Sequence, residues 1–158
     1  MHKMNLSKNF TLNELTKSET AIRMDIDNTP DDEQIESLRL LCENILQPVR
    51  DHFGKPVKIS SGFRCSALNQ AAGGSATSDH CKGQACDFEI DGIPNPELAE
   101  WIESNLKFTQ LILEFYVPGG DPNAGWVHCS YSPSNLKSQS LTATKVAGKT
   151  TYLNGLVA

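Results

Sequence analysis

The sequence predicts an α+β fold, a small and mainly antiparallel sheet covered by helices. Three observations predict it. Ile35, Leu38, Leu41, Cys42, Ile45, Leu46 and Val49 recur at helical spacing, and Leu98, Trp101, Ile102 and Leu106 do so again further on. Short apolar or alternating runs of strand length lie before, between and after these stretches. The 158 residues carry 39% hydrophobic and 21% charged side chains, enough for one sizeable core, with no repeat, low-complexity tract or linker, so residues 1–158 read as a single domain.

Taken in order, Asn9 to Leu15 reads as a short capped helical turn. Asn28-Thr29-Pro30-Asp31-Asp32 starts the first long helix, with Thr29 expected as N-cap, Pro30 in the first turn and acids at the positive end of the helix dipole. That helix is expected to reach about His52 or Phe53, with Pro48 kinking it or ending its regular ladder, before Gly54-Lys55-Pro56 breaks the chain. Val57 to Ser61 reads as a strand, Ser66 to Ala72 as a weak helix ended by Gly73-Gly74, and Ser75 to Lys82 as a polar loop. Gln84 to Ile90 alternates as a strand, and Asn95-Pro96-Glu97 starts the second long helix. Gln110 to Phe115 is a core strand, Pro118 to Gly125 a loop, and Trp126 to Tyr131 another strand. Leu141 to Thr144 and Thr150 to Leu153 flank Val146-Ala147-Gly148-Lys149 as a terminal hairpin.

A net charge of −5 with no clustered basic stripe argues against nucleic-acid binding, which draws on a basic face. No segment approaches the roughly 20 apolar residues that span a bilayer, so no membrane insertion is expected. Met1 to Ser7 lacks the apolar core of a secretory signal, so synthesis in the cytoplasm is expected. Five cysteines (Cys42, Cys65, Cys81, Cys86 and Cys129) are an odd count without a CxxC pair, which favours reduced thiols. Cys81, Cys86 and Cys129 adjoin candidate ligands. Packing around the site is the reading preferred over ligation.

The chemistry concentrates in Ser61-Gly62-Phe63-Arg64, Ser78-Asp79-His80, Gly83-Gln84-Ala85-Cys86-Asp87 and Trp126-Val127-His128. His80, Asp87 and His128 are two imidazoles and one carboxylate, the ligand set of a catalytic zinc site with one position open. Such a set points to metal-assisted hydrolysis. Alone it means little, since lone histidines are usually surface or packing residues, as His2 and His52 are read, and a strand aspartate can simply cap a loop. Arg64 suits a substrate carboxylate, or is a surface ion-pair arginine.

Together with Leu68-Asn69, Gly73-Gly74-Ser75, Thr77 and Cys129-Ser130-Tyr131, these segments closely resemble the M15 family of zinc peptidases, from about Phe10 to Tyr152. Within it they look like the bacterial and phage branch of D-Ala-D-Ala carboxypeptidases and endolysin-type murein peptidases. The family form Ser-x-His followed by Gly-x-Ala-x-Asp is met at Ser78 to Asp87. The resemblance implies a hedgehog/DD-peptidase-like fold with Zn2+ held by His80, Asp87 and His128. It implies a substrate carboxylate held by Arg64, a peptide hydrogen bond at Ser78 and a cleft wall at Trp126. Many relatives carry Asp or Glu three residues before the last histidine, where this chain has Gly125. Leu113-Glu114-Phe115 corresponds to an Ile-x-Glu-Phe segment of the branch, so Glu114 is expected as the general base, with Asp121 in reserve. The alternative reading of Glu114 is that it only orients a zinc-bound histidine, and that of Trp126 is a core aromatic.

The expectation is therefore a monomeric zinc metallopeptidase acting on peptidoglycan stem peptides, as a DD-carboxypeptidase or an L-Ala-D-Glu-type endopeptidase. Its setting would be a bacteriophage, as an endolysin degrading the cell wall after release or as a virion component. Two rivals are a non-catalytic zinc-binding module of the same fold used for binding or virion assembly, and a metal-free structural domain.

Overall fold

The computed structural model describes residues 4–75, 77–117, 121 and 124–157. His2, Ala76 and most of the expected Pro118 to Gly125 loop lie outside the described residues.

Strands β1 (Asn5–Ser7) and β2 (Phe10–Thr11) form a small ribbon that runs into α1 (Leu12–Thr16). Thr11 caps α1, accepting the Glu14 N–H while the Glu14 carboxylate accepts that of Thr11, so two otherwise orphaned donors are satisfied. Ser18 caps the short α2 (Glu19–Arg23).

Helix α3 (Asp32–Leu41) starts later than its sequence suggests, because Asp31 and not Thr29 is its N-cap. The Thr29 N–H and hydroxyl both donate to Asp27 at 3.1 and 2.6 Å, which closes a turn of their own. Asp31 and Gln34 exchange reciprocal bonds of 2.8 Å, a fuller cap than Thr29 could make alone. The helix then widens into a π-segment, Cys42–Leu46, and continues as α4 (Gln47–Phe53), closed by Gly54 in the left-handed region at φ 65°. Pro48 lies just past the widened turn. It lacks an N–H and its ring would meet the carbonyl four residues back, so the widened turn carries the helix past it.

Six further strands form the main sheet: β3 (Lys58–Ser61), β4 (Ala85–Glu89), β5 (Gln110–Glu114), β6 (Trp126–Ser130), β7 (Gln139–Val146) and β8 (Lys149–Asn154). Their order is β3-β4-β6-β5-β7-β8, antiparallel throughout except for the parallel pair β5–β7. The fold is thus mixed α+β with a mostly antiparallel sheet. Helix α5 (Ser66–Ala71) lies between β3 and β4, and α6 (Asn95–Asn105) between β4 and β5. The expected loop from Ser75 to Lys82 contains one turn of 3₁₀-helix, Asp79–Lys82. Ser78 accepts the His80 N–H at its start, and Gly83 ends it at φ 72°. A turn too short to show periodicity is invisible to pattern reading.

Alternation along the strands separates the two faces of the sheet. Cys86, Phe88, Leu111, Leu113, Val127 and Cys129 join Leu38, Leu41, Ile45, Leu98 and Ile102 in one hydrophobic core. Cys86 pairs directly across from Cys129, on the face opposite Asp87 and His128, and burial pushes both thiols up. His52 stacks on Trp101 at 4.4 Å between ring centroids, a packing role. In the β7–β8 hairpin, Val146 pairs with Lys149, and Ala147 and Gly148 both adopt positive φ as a two-residue turn of this hand demands. No helix among the described residues is long and apolar enough to cross a membrane.

Candidate metal centre

Strand register builds the first half of the site. Asp87 of β4 sits directly opposite His128 of β6, so both side chains rise from the same face. His128 Nδ1 lies 2.9 Å from Asp87 Oδ1. His80 arrives from the 3₁₀ turn, its Nε2 at 3.5 Å from the same oxygen. Its Nδ1 lies 2.7 Å from the Gly62 carbonyl. A carbonyl only accepts, so Nδ1 carries the proton and Nε2 presents its lone pair to the cluster. The three ligand atoms lie within 4.8 Å of one another. Two imidazole nitrogens and a carboxylate oxygen suit a borderline divalent ion such as zinc, so the residues present fit a metal.

Close backbone contacts place His80. A Cβ on Gly62 would lie 2.4 Å from the Leu15 carbonyl oxygen, to which the Phe63 N–H donates at 2.7 Å. The segment after β3 therefore lies backbone-to-backbone on α1. A Cβ on Gly83 would lie 2.6 Å from the Gln34 carbonyl oxygen, while Gln34 Nε2 donates to the Cys81 carbonyl at 3.1 Å. The 3₁₀ turn is held against α3 in the same way.

The electrostatics of the trio follow from burial and mutual bonding. Burial works to raise the Asp87 carboxyl, but its hydrogen bonds with His128 and His80 hold it well below the usual carboxylate range. Burial works to lower His128, and its bond to Asp87 outweighs this and raises it. In the metal-free protein the depressed carboxyl contributes stability above its unfolded value of about 3.9, lost as pH falls through the folded value. The raised imidazole contributes stability below its unfolded value of about 6.5, lost as pH rises through the folded value. The chelated protein should therefore show this pair's contribution in full between about pH 4 and 6.5, and melt at lower temperature above it. Thermal denaturation from pH 4 to 9, with Asp87→Asn as control, checks this. A variant slope equal to that of the parent would refute it. Added zinc should reverse the trend above neutrality, because ligation requires the unprotonated imidazole.

A cavity of about 450 Å³ opens over the trio, and Arg64, Ser78, Glu114 and Trp126 line it too. Arg64 Nε is buried without a partner, and among the described residues the guanidinium makes no ion pair. Asn28 frames it. Its Nδ2 donates to the Phe63 and Thr16 carbonyls, and its Oδ1 accepts the Cys65 N–H at 2.7 Å, so both neighbours of Arg64 are pinned. The Arg64 N–H itself donates to the His80 carbonyl at 3.1 Å. Ser78 spends an acceptor site on capping the 3₁₀ turn but keeps its hydroxyl proton to donate.

Glu114 is half-buried and accepts the Trp126 indole N–H at 2.8 Å, the two being paired across β5 and β6. Burial raises its carboxyl, with the Asp87 charge adding to this and the His128 charge opposing it. Asp121 is exposed and is not among the described residues lining the cavity. Gly125, at φ 75°, packs so closely that a Cβ there would lie 1.7 Å from the Glu114 carbonyl oxygen. Asn95 Nδ2 donates to the Ala124 and Gly125 carbonyls at 3.2 Å. In the sequence, Asn28 and Asn95 read as helix-start residues. Nothing in the sequence signals their long-range bonds.

A mixed α+β fold with a His–Asp–His group that could hold a metal ion under an open cleft defines the class. The sequence signature of the family Peptidase M15 matches residues 8–130, and the chain belongs to that family. Its members are metallopeptidases, which makes the substrate a peptide. No match to the chain was found among curated proteins.

Proposed function

We propose that the chain is a zinc-dependent peptidase that cleaves peptidoglycan stem peptides, as one domain spanning residues 1–158 and as a monomer. The observation that carries this is the unpartnered buried Nε of Arg64 in the same cavity as His80, Asp87 and His128. A cation-lined pocket beside a metal group suits a peptide that bears a carboxylate near the cleaved bond. A free terminal D-Ala and the α-carboxylate of D-Glu both meet that description, hence DD-carboxypeptidase or L-Ala-D-Glu-type endopeptidase activity.

His80, Asp87 and His128 would hold the zinc, which when bound polarises a carbonyl and acidifies water. Arg64 anchors the carboxylate by two parallel hydrogen bonds, and Ser78 donates its hydroxyl proton to the peptide backbone. Glu114, with one oxygen steadied by Trp126, uses the other to take a proton from the attacking water and return it to the departing amine nitrogen. The raised Glu114 carboxyl suits this traffic better than an ordinary acid would. A phage setting, as an endolysin or virion-associated enzyme acting on the cell wall, belongs to the same proposal and is inferred from the family and from no residue of this chain.

Mass spectrometry of muropeptides incubated with zinc-loaded and chelated protein tests this. Zinc-dependent loss of D-Ala is the result expected of the carboxypeptidase, and release of stem fragments that of the endopeptidase. No cleavage with one zinc bound would overturn the catalytic reading in favour of a non-catalytic zinc-binding module.

A further inference from the structure

The family match ends at Ser130, yet the cavity over the metal group does not. Tyr152, on β8 of the hairpin beyond that match, also lines it. Strand register explains how. Trp126 pairs with Glu114, Glu114 with Ala143, and Ala143 with Tyr152, one row across β6, β5, β7 and β8. Paired residues share a face, so Tyr152 rises from the same face as the candidate base and the metal group. Three interstrand steps of about 4.8 Å put the Trp126 and Tyr152 backbones roughly 14 Å apart, with Glu114 and Ala143 between them. Ala143 between them is fully buried and adds no side chain to the cavity lining, so Glu114, Trp126 and Tyr152 are the members of this row that reach the cavity.

Tyr152 itself is 55% exposed and, among the described residues, makes no side-chain hydrogen bond or ring contact. It therefore does little for the fold, while its ring stands at the rim of the cleft. We propose that Tyr152 is a substrate-binding residue. Its aromatic face forms the wall opposite Trp126 and packs on a compact apolar side chain of the peptide, such as the methyl group of alanine, next to the bond held over Glu114. The C-terminal hairpin thereby completes a subsite that the shared family portion of the chain does not contain. This rests on the stem-peptide reading above.

The test is isothermal titration of zinc-loaded protein with the pentapeptide L-Ala-D-Glu-L-Lys-D-Ala-D-Ala, N-methylated at its two candidate bonds, alongside kinetics on muropeptides. Tyr152→Ala should weaken affinity and raise KM about tenfold with kcat changed less than about twofold, while Tyr152→Phe retains parental values. Circular dichroism and zinc content should be unchanged in both. Unaltered affinity in Tyr152→Ala overturns the subsite and leaves the peptidase reading standing. Binding without cleavage, weakened by Tyr152→Ala, sustains the subsite and removes the catalytic reading. A parent protein that neither binds the analogue nor cleaves muropeptides overturns both, and in a parent that cleaves without binding the analogue an unaltered KM in Tyr152→Ala overturns the subsite.

Discussion

Gly125→Asp will disrupt the site instead of supplying an acid to it. The resemblance described above puts a carboxylate at this position, so the substitution looks like a repair, but the backbone forbids it. Gly125 sits at φ 75°, where any Cβ is strained, and that Cβ would lie 1.7 Å from the Glu114 carbonyl oxygen and 2.8 Å from the Phe115 carbonyl carbon. Neither obstacle is a flexible side-chain end. The turn out of β5 is itself tight, with Phe115 at φ 56°. Positive φ costs about 1 kcal/mol and forced backbone displacement about 1–3 more, so a loss of about 3 kcal/mol is expected. At roughly 2–4 °C per kcal/mol for a chain of this size, the melting temperature should fall by about 10 °C. Gly125 precedes Trp126, which steadies Glu114, and His128 follows two residues later, so turnover should fall as well. Scanning calorimetry of Gly125→Ala and Gly125→Asp decides the matter. A folded variant melting with the parent would show that the contact yields freely.

Glu114→Gln should lower kcat by about 10²–10⁴-fold with zinc content intact. The carboxamide oxygen can still accept the Trp126 indole N–H, so the geometry of the wall persists while the group loses its capacity to carry a proton. A general base must be ionised. Activity of the parent should thus fall as pH drops through the carboxyl of Glu114, which burial has raised above its ordinary value. That acidic limb should vanish in Glu114→Gln. If Glu114 only orients a histidine, the variant keeps most of its turnover and the limb remains. If Asp121 is the base, Asp121→Asn takes the large loss instead. Single-turnover kinetics across pH, with metal content measured on each variant, separates these outcomes.

Local chemistry explains what was legible in advance. The two long helices were visible because helical periodicity and proline or acid signals act over a few residues. The main strands were visible because each alternates or runs apolar, and the α+β class follows from those elements. The N-cap of α3 moved, since Thr29 was drawn to Asp27 and Asp31 found a reciprocal partner in Gln34. The helical turn expected from Asn9 begins only at Leu12, because Phe10 and Thr11 pair with β1 as a strand. The β1–β2 ribbon, α2 and the 3₁₀ turn were too short to leave a pattern.

The sequence by itself determined the residue types of the site and their order, because metal ligation and carboxylate binding demand particular side chains. The Ser-Gly-Phe-Arg, Ser-Asp-His, Gly-x-Ala-x-Asp and Trp-x-His segments can be read without coordinates. Only the tertiary structure decided how they meet. The β4–β6 register sets Asp87 against His128, the Gly62 carbonyl chooses the His80 tautomer, and Asn28 pins the chain on both sides of Arg64. It also decided why residue 125 is glycine and why Tyr152 stands at the cleft. The physical reason is the range of the interactions. Caps and periodicity act within a few residues, whereas strand register, backbone-on-backbone packing and buried asparagine bonds join residues far apart in the chain.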